Sequence, residues 1–281
     1  MSHVSHSTFR AWRRLGAVLA VAIGAGAGAL TQAVAEDVDL LLVMAADVSR
    51  SIDEAKFKLQ RDGYVAAITD PAVMKVIQAA GPKQRIGMLF IEWAGMGETK
   101  VVANWASVGT AEEAQRFAAQ IAAAPRSFYG RTCIACAIDE SLAEMRTSPL
   151  KADRKIIDIS GDGTNNAGRE ISAARDGAVE LGVTVNGIVI LSAVPLPFNP
   201  QHTHPPGGLL AYYQNNVVGG PGNFAMAAEG FETFGQALRT KLVREISSLG
   251  GRDGDHFGDR RGFGDRRDWA SLTGAAPSAA E

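Results

Sequence analysis

The chain has 281 residues, a formal net charge of −2, 46% hydrophobic and 21% charged side chains, and two cysteines. That balance is globular. A mildly acidic chain without a clustered basic face is excluded from nucleic-acid binding, which draws on such a face to neutralise phosphates.

Residues 1–35 stand apart from the rest. Arg10, Arg13 and Arg14 precede the apolar run LGAVLAVAIGAGAGAL, after which Ala33 and Ala35 offer the small residues of a cleavage site. This pattern reads as an export signal cleaved after Ala35. The alternative, a membrane anchor, needs ~18 or more apolar residues, and this run is shorter and diluted with glycine and alanine. No strong hydrophobic pair follows Arg13 and Arg14 in the twin-arginine manner, so the general secretory route is expected. The leader holds three arginines and no acid, so its removal takes the net charge from −2 to −5. No second hydrophobic span follows. The mature protein is expected to be soluble, exported to the periplasm or secreted, and without a membrane span.

From Asp39 strand-like and helix-like stretches alternate. DLLLVMAAD is continuously apolar, as a strand buried on both faces must be. SIDEAKFKLQRDGYVAAI has helical spacing, and Pro71 opens a second helix that GPKQ breaks. RIGMLFIEWAG and KVVANWASV, joined by a short glycine-rich turn, predict an antiparallel pair at one sheet edge; Trp93 and Trp105, in these strands, are expected as core or edge packing rather than as a ligand box. Thr110 and Glu113 have the capping-box spacing at the head of TAEEAQRFAAQIAAAP. TCIACAIDESLAEM is a further helix, RKIIDIS a buried strand, and GREISAARDGAVELG a helix closed by Gly182. VTVNGIVIL, NFAMAAE and FETFGQALRTKLVREISSL complete the series. Strands separated by helices imply parallel pairing. The expected fold is one doubly wound, Rossmann-like α/β domain over residues 36–249: a mostly parallel sheet with one antiparallel edge strand and helices on both faces.

Two segments break the alternation. SAVPLPFNPQHTHPPGGLLAYYQNNVVGGPG is rich in Pro and Gly and long for a connection; His202 and His204 within it lack a nearby third ligand, so it reads as a solvated loop rather than a metal site. Residues 250–281, with the tandem near-repeat FGDRR, read as a disordered tail rich in Gly, Arg and Asp.

In an open parallel sheet, ligands bind beyond the carboxyl ends of the strands where the winding reverses. DVSRS, residues 47–51, ends the first strand and GDGTNN, residues 161–166, follows RKIIDIS. If these ends are neighbours, Asp47 and Asp162 face one crevice. The hydroxyls of Ser49 and Ser51, two residues apart in a tight loop, can turn toward a common point there. Thr132, at the head of a helix, is by itself an ordinary cap. Magnesium takes six oxygens and keeps several waters, which suits a site of few direct protein ligands. Neutral hydroxyls leave its charge incompletely quenched, with an open position that favours an incoming carboxylate.

Asp47, Ser49, Ser51, Thr132 and Asp162, in that order, resemble the D-x-S-x-S, Thr and Asp pattern of the metal-ion-dependent adhesion site (MIDAS) of von Willebrand factor type A domains. GYVAAITDPAV, IEWAG, ISGDGTNNAG, TVNGIVI and YYQNNVVGGPGNF further resemble a bacterial family of exported, von Willebrand A-like proteins of uncharacterised function. The resemblance implies that the serines and Thr132 hold magnesium or manganese, with the aspartates acting mostly through water, and that a protein partner offers an Asp or Glu to the metal. The threonine loop departs from the family in reading GRTC, and SGDG replaces the commoner TDG.

Two other readings compete. GDGTNN is similar to the metal-binding GDGxND of haloacid-dehalogenase-like phosphatases, for which Asp47 and Asp162 would serve catalysis. There the first strand ends in D-x-D, whereas Ser49 cannot supply a titrating proton near neutral pH and Asn166 replaces the final acid. A redox reading rests on Cys133 and Cys136, a C-x-x-C at a helix start; a local disulfide or two buried thiols fits the position better, because the motif falls in the helix that closes the metal site. Among the five histidines none pairs with a serine nucleophile motif, and no G-x-S-x-G elbow occurs. The chain therefore reads as a binding protein rather than an enzyme.

Overall fold

The structure, a computed structural model, describes residues 35–247. The leader up to residue 34 and residues 248–281, which include the tail, lie outside the described residues. In chain order the elements are β1 (Glu36–Asp37), β2 (Leu41–Asp47), α1 (Glu54–Ile68), α2 (Pro71–Ala79), β3 (Ile86–Trp93), β4 (Thr99–Val108), α3 (Ala111–Ala123) and α4 (Ile134–Arg146). They continue with β5 (Leu150–Lys151), β6 (Lys155–Gly161), α5 (Ile171–Glu180), β7 (Val183–Ile190), α6 (Pro200–Thr203), α7 (Leu209–Tyr212), β8 (Ala225–Ala228) and α8 (Phe234–Ser247).

Local chemistry sets the helix ends. Asp53 caps α1 by accepting the Lys56 N–H, and Asp70 caps α2 with Pro71 in its first turn. Thr110 and Glu113 form the expected reciprocal capping box on α3. Gly182, at φ +73°, follows the end of α5 in a conformation that an L side chain resists.

Six strands form one sheet in the order β4-β3-β2-β6-β7-β8, parallel throughout except for β4, which runs antiparallel to β3 at the edge. The doubly wound architecture is thus the one expected. Successive residues of β2 face opposite sides. Leu42, Met44 and Ala46 pack toward α1, α2, α3 and α8, while Val43 and Ala45 pack toward α4, α5 and the segment around Tyr213. Both faces are covered, which is why β2 reads as an uninterrupted apolar run. Because β3 lies on one side of β2 and β6 on the other, the winding reverses between β2 and β6.

Trp93, expected as core or edge packing, is core: β3 lies one strand in from the edge, and the indole is fully buried. Trp105 does lie on the edge strand, with its Nε1 donating to the Glu144 carbonyl at 3.2 Å. The segment between β7 and β8 is a solvated loop only in part, where residues 193–195 and 197–201 are exposed. It forms α6, α7 and a π-helical turn over Tyr213–Val217, and Leu209, Tyr213 and Val217 are buried against the sheet. Lastly, β1 and β5 form an unforeseen two-stranded parallel sheet. Among the described residues no helix is long and apolar enough to cross a membrane.

A buried charge cluster ties α8 to the sheet. Lys241 Nζ lies 2.5 Å from Asp158 of β6 and against Glu245, and Asn186 of β7 donates to Glu245 at 2.7 Å. Burial pushes the Asp158 carboxyl up to about 7 despite the lysine beside it.

Candidate functional site

The carboxyl ends of β2 and β6 bring together all five residues singled out in the sequence. Ala46 pairs with Ser160, so the next residues on each strand lead into one crevice. Asp47 Oδ1 accepts the Ser49 N–H at 2.7 Å, which curls the loop back over the strand end. Ser49 Oγ then lies 3.2 Å from Ser51 Oγ and 3.2 Å from Thr132 Oγ1, and Ser51 donates to Asp162 Oδ1 at 2.5 Å. Ser51 is partly exposed, while the other four side chains are buried.

The loop is held from outside. Arg126 donates to the Val48 and Ser49 carbonyls at 2.8 and 3.0 Å, and the Arg50 N–H donates to the Gly130 carbonyl. Thr132 is clamped at its backbone by Asn166: its N–H donates to Asn166 Oδ1 at 3.0 Å, and its carbonyl accepts the Asn166 N–H at 2.9 Å. Cys133, the next residue, is joined by a disulfide to Cys136 in the first turn of α4.

The electrostatics of this cluster are unbalanced. Oδ2 of Asp47 and Oδ2 of Asp162 are both buried without a hydrogen-bond partner, a costly state for a carboxylate. Burial, aided by the Asp162 charge, pushes the Asp47 carboxyl up to about 8, and burial also raises Asp162. Two acids with unmet oxygens beside three hydroxyls are a donor set for a hard divalent cation, which would replace a proton as the neutralising charge. Among the described residues no trio of His, Cys, Asp or Glu side chains gathers as a metal cage, so the hydroxyls are an essential part of any such set.

One neighbour escaped the sequence. His202, expected on a solvated loop, is buried with its Nε2 3.2 Å from Thr132 Oγ1. Its Nδ1 lies 3.3 Å from both Thr164 Oγ1 and Asn166 Nδ2, and burial holds the imidazole below its ordinary pKa. Both glycines of GDG serve this packing. A Cβ at Gly163 would come within 2.2 Å of the His202 ring, and one at Gly161 within 2.6 Å of the Tyr213 hydroxyl. The only sequence signal was the conjunction of two glycines flanking Asp162 with a distant buried histidine, which spacing alone does not connect. His204 does not join the site; its Nδ1 meets Thr203 Oγ1 at 3.0 Å.

A family model described as "Protein of unknown function (DUF1194)" matches residues 37–250. Among solved structures the chain is similar to the pilus adhesin SpaC from Lactobacillus rhamnosus GG, with 13% identity and a TM-score of 0.53 over 75% of this chain and 31% of that one. It is also similar to a von Willebrand factor type A structure from Catenulispora acidiphila, with 11% identity and a TM-score of 0.49 over 74% and 43% of the two chains. A third similarity is to proximal thread matrix protein 1 from the mussel byssus with a zinc occupied MIDAS motif, at 16% identity and a TM-score of 0.47 over 76% and 48%. The chain thus spans less than half the length of each, and identities this low speak of fold alone. No curated relative matches.

Proposed function

We propose that this chain, which belongs to the family described as "Protein of unknown function (DUF1194)" and folds as a doubly wound, mostly parallel α/β domain, is an exported protein of von Willebrand factor type A kind that captures a protein partner through a divalent cation. The cation is magnesium or manganese, held by Asp47, Ser49, Ser51, Thr132 and Asp162, and the partner contributes an aspartate or glutamate. What carries this reading is the pair of unpartnered buried carboxylate oxygens, on Asp47 and Asp162, beside three converging hydroxyls at the switch point of the sheet. A bound cation would supply positive charge for an incoming carboxylate; these five residues would hold it, while Asn166 clamps the Thr132 backbone and His202 meets the Thr132 hydroxyl.

The phosphatase alternative is disfavoured by two positions. A general acid would be needed where Ser49 stands, and Asn166 is engaged with the Thr132 backbone. The redox alternative is disfavoured by the burial of Cys133, which lies under Gly168 with its Sγ accepting the Cys136 N–H at 3.2 Å. We further propose that residues 1–35 are the cleaved signal, that 36–249 form the binding domain, and that 250–281 are a tail outside it.

The test titrates magnesium into wild type and Asp162→Ala by calorimetry, then assays partner capture from an envelope fraction with magnesium or with chelator. Capture that survives chelation defeats the reading. So does equal metal affinity in the two proteins. Magnesium-dependent turnover of a generic phosphomonoester, lost in Asp47→Asn, would favour the phosphatase instead.

A further inference from the structure

Beside the cation site opens a crevice of about 480 Å³ with Ser51 and Thr132 at its base, within the range of about 300–1,000 Å³ typical of ligand clefts. Its lining combines two chemistries: Arg50 and Arg131, both exposed, and the apolar run Leu196, Pro197 and Phe198, in which Phe198 is 100% exposed. The buried His202 lines it as well.

Building on the cation reading above, we propose that this crevice selects the partner: it takes an extended acidic peptide segment in which one carboxylate reaches the cation, a second reaches Arg50 and Arg131, and a large apolar side chain lies along Leu196–Phe198. Charge complementarity argues for this occupant. A divalent cation offsets the two charges of Asp47 and Asp162, which leaves the guanidinium groups of Arg50 and Arg131 as net positive charge at the mouth. Glu98, the acid lining the adjoining hollow, accepts the Gly95 N–H at 2.7 Å and sets one negative charge against the two guanidinium groups, so positive charge remains. One acid on the partner would satisfy the metal and leave the arginines unmatched; a second engages them in charge-assisted hydrogen bonds. Phe198 is fully exposed, and an apolar side chain laid against it would remove that surface from water.

A random heptapeptide phage library panned on the immobilised full chain in magnesium, and eluted with chelator, reads this preference. Eluted peptides should share one acid, a second acid within three positions, and an adjacent large apolar residue. The Arg50→Gln/Arg131→Gln double variant should lose the preference for the second acid, and Phe198→Ser the preference for the apolar residue, with magnesium affinity by calorimetry not lowered in either. A synthetic peptide from the wild-type pool should bind the double variant about tenfold more weakly, the scale of one lost charge-assisted contact. Eluted peptides with a single acid and no further preference, or identical pools from wild type and variants, overturn the proposal and leave the cation reading standing. If the chain binds magnesium yet no peptide elutes with chelator, cation-linked capture falls along with it. A chain that binds no magnesium defeats the site assignment itself.

Discussion

Asp47 and Asp162 matter more to a cation than the hydroxyls around them, because each supplies a full charge from a buried position while water can stand in for a missing hydroxyl. Asp162→Ala should nearly abolish magnesium binding in a calorimetric titration, whereas Ser51→Ala should weaken it by ~1–3 kcal/mol, the range for one strong polar contact. Substituting His202 by Ala should weaken binding less than Asp162→Ala, because among the five proposed ligands the imidazole meets only the Thr132 hydroxyl. His202→Gln, which keeps a polar atom near that hydroxyl, should recover part of the loss in the same titration. These residues were unequally legible. Asp47, Ser49 and Ser51 lie within one turn of chain, so their convergence follows from local geometry and could be read from DVSRS. Asp162 could be read from its place just beyond the end of a buried strand, whereas Thr132 was readable only because its order matches a known pattern. His202 was not readable at all: its contact with Thr132 spans 70 positions and depends on how the segment after β7 packs.

Helices and loops repeat the lesson at the next scale. Leu209, Tyr213 and Val217 recur every four residues, a helical stripe, but the flanking prolines and glycines disguised the segment as a solvated loop. Helix α4 raises a separate question, whether its disulfide supports the site. Thr132 is held through Asn166, independently of the sulfur atoms. Replacing Cys133 and Cys136 by serine should therefore cost about 2 kcal/mol in denaturant unfolding, the chain-entropy value for so short a loop, and leave magnesium affinity intact. Helix α8 carries a pH signature instead. The Asp158 carboxyl is raised to about 7 from roughly 3.9 in an unfolded chain, so the folded protein holds a proton there that the unfolded chain has released. Its contribution to stability is full below about pH 4 and is lost as pH rises through 7. Unfolding free energy should accordingly fall between pH 5 and 7 by at most about 1.4 kcal/mol per unit from this group, and Asp158→Asn should flatten that slope. An unchanged slope in the variant would assign the pH dependence to another group.

Across the whole molecule, alternating strands and helices made the order of the sheet readable, since each buried strand announces itself as an apolar run between helical stretches. The two-residue strands β1 and β5 escaped because so short a pairing leaves no periodicity. The same architecture couples metal binding to folding. The proposed ligands come from the end of β2, the head of α4 and the end of β6; Ser51 and Asp162, in hydrogen-bond contact, are 111 positions apart. An unfolded chain cannot assemble such a set, so a cation that binds here binds the native state alone and stabilises it by mass action. At a magnesium concentration one hundred times Kd the gain is ~2.7 kcal/mol. For a domain of this size, where 1 kcal/mol moves the midpoint by roughly 2–4 °C, thermal unfolding should shift upward by about 5–11 °C. Chelator should reverse the shift completely. Asp162→Ala should melt at the same temperature with and without magnesium, whatever its own stability, because the comparison is made within one protein. A magnesium shift of equal size in that variant would mean the stabilising cation sits elsewhere on the chain, and the crevice between β2 and β6 would lose its claim to it.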